Sequence, residues 1–169
     1  GFFALSMIIA VISLFFYIIS SKNTFDKHDH STIKELTIVS EMSLTIGLFA
    51  LTVGNFLGGI WANESWGRYW SWDPKETWAF ISIIVYVFVL HMRLVPGLRG
   101  KYAFHLMTMF AFCSMVMTYF GVNYYLSGLH SYAAGDPIPV PAWVYISVGV
   151  MTALGLGAYY KYKKLSSSK

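Results

Sequence analysis

Five of the six tryptophans fall within one stretch, WANESWGRYWSWDPKETW at residues 61–78: Trp61, Trp66, Trp70, Trp72 and Trp78. Tyr69 adds another large ring. Indole faces pack well on a flat conjugated ring. Trp66 and Trp70 are four residues apart and would share a face if the segment is helical. Arg68 and Lys75 could pair with carboxylates on such a ligand. The plainer reading is an aromatic belt, because Trp and Tyr favour the headgroup level of a bilayer. A belt explains one or two rings at a helix end, and Trp143 is an ordinary example. It explains poorly so many rings in one short stretch. A planar apolar macrocycle with two propionates and an iron that needs axial ligands, haem b, fits the other reading. Asp73, Pro74 and Glu76 also read as the N-cap, first residue and N3 acid of a following helix. Asp73 would then fix how the tryptophan segment enters that helix, beside its candidacy as a ligand-site residue.

The five histidines differ in their surroundings. His28 and His30 lie in KNTFDKHDHSTIKE with Asp26 and Asp29. They could bind a metal, although a solvated charged loop is the plainer reading. His105 reads as a satisfied interfacial histidine near the start of an apolar run. His91 lies about four-fifths of the way along another run, in IVYVFVLHMRL. An ionisable residue in a span is a functional hypothesis by default, with snorkelling beside Arg93 as its alternative. His130 lies in GVNYYLSGLHSYAAGDPIPVP, with Tyr124, Tyr125 and Tyr132 nearby. The single cysteine, Cys113, sits in an apolar stretch and reads as buried packing. One cysteine excludes an internal disulfide and a CxxC centre within these residues. No general base is identified; Glu64 and Asp73 qualify only by being acidic and outward.

The elements that must position these residues are membrane helices. Only 12% of the chain is charged and 56% is hydrophobic, whereas a soluble domain carries about 25% charged residues. A helix needs about 20 apolar residues to cross the hydrocarbon core. Such runs fall at about 2–20, 42–61, 77–95, 102–121 and 142–160. The expected fold is all-α, a polytopic transmembrane bundle of about five spans forming a single membrane domain over 1–169. Gly54 and Gly58 have the small-xxx-small spacing that lets helices approach closely. Gly1 opens directly into an apolar run, which reads as the interior of a longer chain of which this is the C-terminal part.

The net charge of +4 needs no nucleic-acid partner, because its placement is a topology signal. Lys22, Lys27, Lys34, Arg93, Arg99, Lys101, Lys161, Lys163, Lys164 and Lys169 share one side if five helices alternate. The positive-inside rule puts 21–41, 96–101 and the tail in the cytoplasm, and 62–76 and 122–141 outward. The expected location is the bacterial inner membrane or its equivalent.

WGRYWSWDPKETW resembles the signature of the tryptophan-rich cytochrome c assembly proteins, the haem-handling WWD family. Its form WGxYWxWDPKE is similar to the CcsA-type branch. GGIWANES, VLHMRL and GVNYYLSGLHSYAAGD also resemble that family, so the likeness covers essentially all 169 residues. The resemblance implies that the tryptophan segment, with Trp66, Arg68, Tyr69, Trp70, Trp72 and Asp73, binds haem beside two outward histidines. It implies that His130 is one of these, and that His91 belongs to a second, intramembrane haem site used as haem crosses. Both would be axial ligands of the iron. Their partner histidines would lie outside residues 1–169, one ahead of the first helix and one in a ResB/CcsB-type partner, separate or fused. Residues 1–169 by themselves would then bind haem weakly. The implied function is cytochrome c biogenesis, in which haem is presented to the CxxCH motif of apocytochrome c for thioether attachment, as part of a holocytochrome c synthase. A haem-delivery module without ligase activity, CcmC-like, is the alternative. A permease unrelated to haem is a more distant one.

Overall fold

A computed structural model describes residues 1–20, 30–126 and 139–166. Every regular element among them is helical: α1 Phe2–Ile19, α2 His30–Trp66, α3 Pro74–His91, a 3-10 turn Met92–Leu94, α4 Lys101–Val116, a π-helical stretch Met117–Gly121, α5 Val122–Tyr125 and α6 Ala142–Ser166. Through the π stretch, α4 runs on into α5 as one span. Among the described residues, five helices are long and apolar enough to cross a membrane, as the composition leads one to expect.

The first helix is the hub, packed against α2, α4 and α6. Its sequence does not follow the soluble amphipathic pattern, because large apolar residues lie on both faces and small and hydroxylated ones join Phe3 and Ile9 on the buried one. Ser6, Ala10, Ser13, Leu14 and Tyr17 are buried, whereas Leu5, Ile8, Ile12, Phe15 and Ile19 point out of the bundle. Small and hydroxylated residues facing inward let membrane helices approach closely and hydrogen-bond across the contact. The Ser6 hydroxyl donates to the Ser40 carbonyl at 3.2 Å. At the same contact, Phe3 stacks on Tyr86 of α3 with ring centroids 4.1 Å apart. Gly47 of α2 makes this approach possible, because a Cβ there would meet Phe2 Cβ at 3.1 Å and the Phe3 ring at 3.2 Å.

The second helix departs from expectation. The span expected over 42–61 is part of a 37-residue helix, about 55 Å long at 1.5 Å per residue. That exceeds the hydrocarbon core of about 30 Å. Charges at Lys34, Glu35 and Glu41 make residues 30–41 read as loop. Ile33, Ser40 and Leu44 are nevertheless buried at helical spacing, with Lys34 and Glu35 exposed beside them and Glu41 half-buried. At the far side, α6 is fastened by tyrosines. Tyr102 stacks on Tyr162 at 5.2 Å, Tyr17 meets both edge-on, and the Tyr102 hydroxyl donates to the Gly155 carbonyl at 2.9 Å. The last helix runs to Ser166 rather than 160.

Candidate functional site

The tryptophan segment is built from the end of α2, a loop, and the start of α3. Helix α2 stops at Gly67, whose φ of +71° is the left-handed conformation that glycine adopts without steric cost. Its N–H donates to the Asn63 carbonyl at 2.8 Å. On the other side, Asp73 caps α3. Its carboxylate accepts from the Lys75 N–H at 3.2 Å, and Pro74 opens the helix. Asp73 is buried, so the structural role read from the sequence is the one observed. Glu76 reaches back over the cap. It accepts from the Ser71 N–H at 3.0 Å and from the Ser71 hydroxyl at 3.3 Å, which ties the loop to the first turn of α3.

The loop is therefore not helical, and the premise that would put Trp66 and Trp70 on one face does not hold. Trp66 pairs edge-to-face with Trp61 at 5.1 Å. Trp70 pairs with Trp72 at 5.6 Å and with Phe80 at 6.1 Å, again edge-on. The rings form two perpendicular sets rather than one flat sheet. Trp72 has φ +57°, a positive value shared by no other non-glycine residue among those described. A bulky residue there costs on the order of 1–3 kcal/mol. The clamps at Ser71 and Asp73, one residue to either side, hold it.

Between α2, α3 and this loop lies a cavity of about 450 Å³. Gly54, Gly58 and Gly59 of α2 form its floor, Lys75, Glu76 and Ala79 its α3 wall, and Trp61, Tyr69 and Trp70 its aromatic side. A Cβ at Gly54 or Gly58 would meet nothing within 4 Å. The small-xxx-small pair therefore lines an open groove and seats no other described helix; the close approach is at Gly47. Lys75 also donates to Asn123 at 3.5 Å, which links the wall to α5. Just before α5, the π stretch is anchored by Thr118, whose hydroxyl contacts the Trp78 carbonyl at 3.1 Å and Ser82 at 3.0 Å. π-Bulges of this kind recur at functional sites.

Of the candidates read from sequence, Tyr69 and Trp70 line the groove; Trp66, Arg68, Trp72 and Asp73 are not part of its lining. Sequence reasoning takes Trp61 only as one ring of the tryptophan segment and Glu76 only as part of a helix start, and it does not single out Gly54, Asn55 or Gly58 as site residues. The signal for them is a polar and three small residues within one span.

His91 ends α3 at the opposite end, about 24 Å from Lys75 along the axis at 1.5 Å per residue. Its ring is exposed. Nδ1 lies 2.7 Å from the Val87 carbonyl. A carbonyl can only accept, so Nδ1 is the donor and Nε2 is the nitrogen left to face a ligand. Metal-ligating histidines characteristically donate their second nitrogen in this way. His105 differs from expectation. It is fully buried rather than interfacial, with Nε2 3.0 Å from the Thr37 hydroxyl. Thr37 spends its one proton on the Ile33 carbonyl at 2.6 Å, so His105 Nε2–H is the donor. His105 Nδ1 has no hydrogen-bond partner among the described residues. Cys113, expected to be buried, is exposed on the outside of the bundle. His130 and His28 lie outside the described residues, as does the side chain of His30. Among the described residues no three His, Cys, Asp or Glu side chains group as a metal site.

The sequence profile of the family described as "Cytochrome C assembly protein" matches residues 1–130. Protein NrfI of Wolinella succinogenes is 51% identical over 141 residues, which cover 82% of this chain and 15% of that protein. Cytochrome c biogenesis protein CcsA of Prochlorococcus marinus subsp. pastoris is 45% identical over 113 residues, covering 67% of this chain and 36% of that one. The same protein from Prochlorococcus marinus strain MIT 9312 is 46% identical over 107 residues, covering 63% and 34%. The chain thus spans about a third or less of the length of these relatives.

Proposed function

The chain belongs to the cytochrome c assembly protein family, and from that premise we propose that its tryptophan-rich end holds haem b as substrate and presents it to apocytochrome c. The observation that carries this reading is the glycine-floored groove beside Tyr69 and Trp70, with Lys75 on its wall. A floor without side chains admits a flat apolar body. The rings supply edge and face contacts, and Lys75 offers a cation to a propionate. The residues present therefore fit a planar dicarboxylate.

Iron ligation at this end falls to His130, and at a second site, at the other end of the bundle, to His91. The ring of His91 is oriented by its Nδ1 contact with the Val87 carbonyl, which leaves Nε2 as the nitrogen to meet iron. The partner histidines come from the rest of the full-length protein or from a ResB/CcsB-type partner. The tryptophan-rich end and His130 face outward, and the basic end faces the cytoplasm. At the outer face, each CxxCH thiol adds across a haem vinyl group. Its S–H bond breaks, a C–S bond forms, and the proton ends on the neighbouring vinyl carbon, so no net oxidant is required. The chain's part in this is to position haem, with its vinyl edge left accessible.

His130→Ala in the full-length protein tests the reading. The expected result is loss of the haem absorbance of the outer site and of cytochrome c yield, with recovery of the absorbance on adding imidazole. Unchanged haem content and yield would overturn it. Retained haem with no thioether formation, in a preparation holding only this protein and its partner, would instead favour haem delivery without ligation.

A further inference from the structure

The end of the bundle opposite the tryptophans carries a second cavity, of about 220 Å³. Three elements send basic side chains to it: Lys34 from α2, Arg93 and Arg99 from the turn after α3, and Lys101 from the start of α4. Among the described residues, Glu41 is the one carboxylate on its wall, and Arg93 takes it at 3.6 Å. Among the described residues, no carboxylate lies within ion-pair distance of Lys34, Arg99 or Lys101. Topology signals explain why these cations share a side of the membrane. They do not explain why residues far apart in sequence converge on one cavity. Its apolar lining joins the buried Val89 and Phe104 to the exposed Ile38, and it includes Thr37, whose hydroxyl His105 contacts.

We propose that this cavity binds the phosphate headgroup of an anionic phospholipid. The excess of cations calls for an oxyanion, and guanidinium and ammonium groups together suit phosphate. The volume lies below the roughly 300–1,000 Å³ of pockets for larger organic ligands, so a headgroup fits and a macrocycle does not. The cavity sits where spans end, at headgroup depth, and its apolar wall gives the first acyl carbons a surface. Basic pockets between helices on this side are the kind that take anionic headgroups. Bound there, the lipid would tie α2, the α3–α4 turn and α4 together. The site is separate from the groove, and the inference does not need haem to bind there; Leu90 and Met92, on either side of His91, line this cavity, whereas His91 itself does not.

The test is native mass spectrometry of the full-length protein, released from nanodiscs of phosphatidylcholine containing a minor fraction of phosphatidylglycerol. Wild type should retain phosphatidylglycerol well above its share of the disc, and Arg99→Gln/Lys101→Gln should lower that retention about ten-fold. Lys163→Gln/Lys164→Gln, at the same end but off the cavity, should leave it unchanged. If the double variant fails to fold, Lys34→Gln alone should still lower retention about three-fold. Equal retention in wild type and cavity variants would overturn the proposal. An equal fall in the Lys163/Lys164 variant would overturn it too, since the field of the whole basic end would then be responsible. Millimolar inorganic phosphate replacing the lipid, with no preference for phosphatidylglycerol over phosphatidylcholine, would assign the cavity to free phosphate and overturn the lipid source.

Discussion

The groove at the tryptophan end and the seam where α1, α2 and α4 meet are made from similar residues, and they are put to opposite use. Both contain glycine in α2 and small or hydroxylated neighbours. In the seam, Gly47 admits Phe2 and Phe3, and Ser6, Ser13, Thr108 and His105 are sealed within the bundle. In the groove, Gly54 and Gly58 face open space. Low side-chain volume therefore serves packing in one place and access in the other. Only the neighbouring element decides which.

The histidines give the largest separation between these two uses. His105→Ala removes a fully buried ring and the donor to Thr37. It should destabilise the fold by about 2–4 kcal/mol, read by thermal unfolding in detergent. His91→Ala removes an exposed ring and should change stability by less than about 0.5 kcal/mol, while abolishing the haem signal of the second site in the full-length protein. A stable His105→Ala, or an unfolded His91→Ala, would break the comparison.

The glycines come next. Gly54→Leu/Gly58→Leu should lower haem content at the tryptophan end about ten-fold or more, which is about 1.4 kcal/mol, with unchanged thermal stability because the added carbons have room. Gly47→Leu should do the reverse. It forces α1 off α2 at a cost of about 1–3 kcal/mol, with less effect on haem per folded molecule. If the double variant unfolds the protein, the groove is a packing surface after all.

A smaller effect is expected at the clamp. Glu76→Ala leaves the Ser71 N–H without its carboxylate and should loosen the tryptophan loop by about 1–2 kcal/mol. Global unfolding should barely move, while hydrogen exchange at 70–73 rises and haem affinity falls several-fold. Unaltered exchange in that loop would mean that the Asp73 cap suffices to hold it.

Much of this arrangement is legible in the sequence where one residue type has one job. The spans follow from long apolar runs, and the Asp73–Pro74–Glu76 start of α3 follows from capping chemistry, although Glu76 turns to Ser71 rather than to the cap itself. The extent of α2 is hidden because charges at 34, 35 and 41 mask the buried stripe of Ile33, Ser40 and Leu44 that runs among them. The open groove is hidden because Gly54 and Gly58 have the same spacing whether a helix or a ligand lies on them. Cys113 reads as buried because an apolar run in a membrane helix is as often turned to lipid as to the core. The fate of His105 depends on α1 and α2 closing over it, which no local pattern records.

The smallest expected effect concerns Trp72, and it separates strain from contact. Its left-handed backbone costs on the order of 1–3 kcal/mol, and its edge contact with Trp70 returns about 0.5–1.5 kcal/mol. Trp72→Gly removes both, and glycine adds about 0.5–1 kcal/mol of chain entropy lost on folding. These terms nearly cancel, so stability should change by less than about 1 kcal/mol. Trp70→Gly, at a half-buried ring wedged against Phe80 and in ordinary backbone, has no strain to relieve and should cost more. Because the Trp72 ring is 71% exposed, a fall in haem content in Trp72→Gly at unchanged stability would mean that the strained backbone holds the ring out for the ligand. Unchanged haem content would make the left-handed turn a by-product of joining Ser71 to the Asp73 cap.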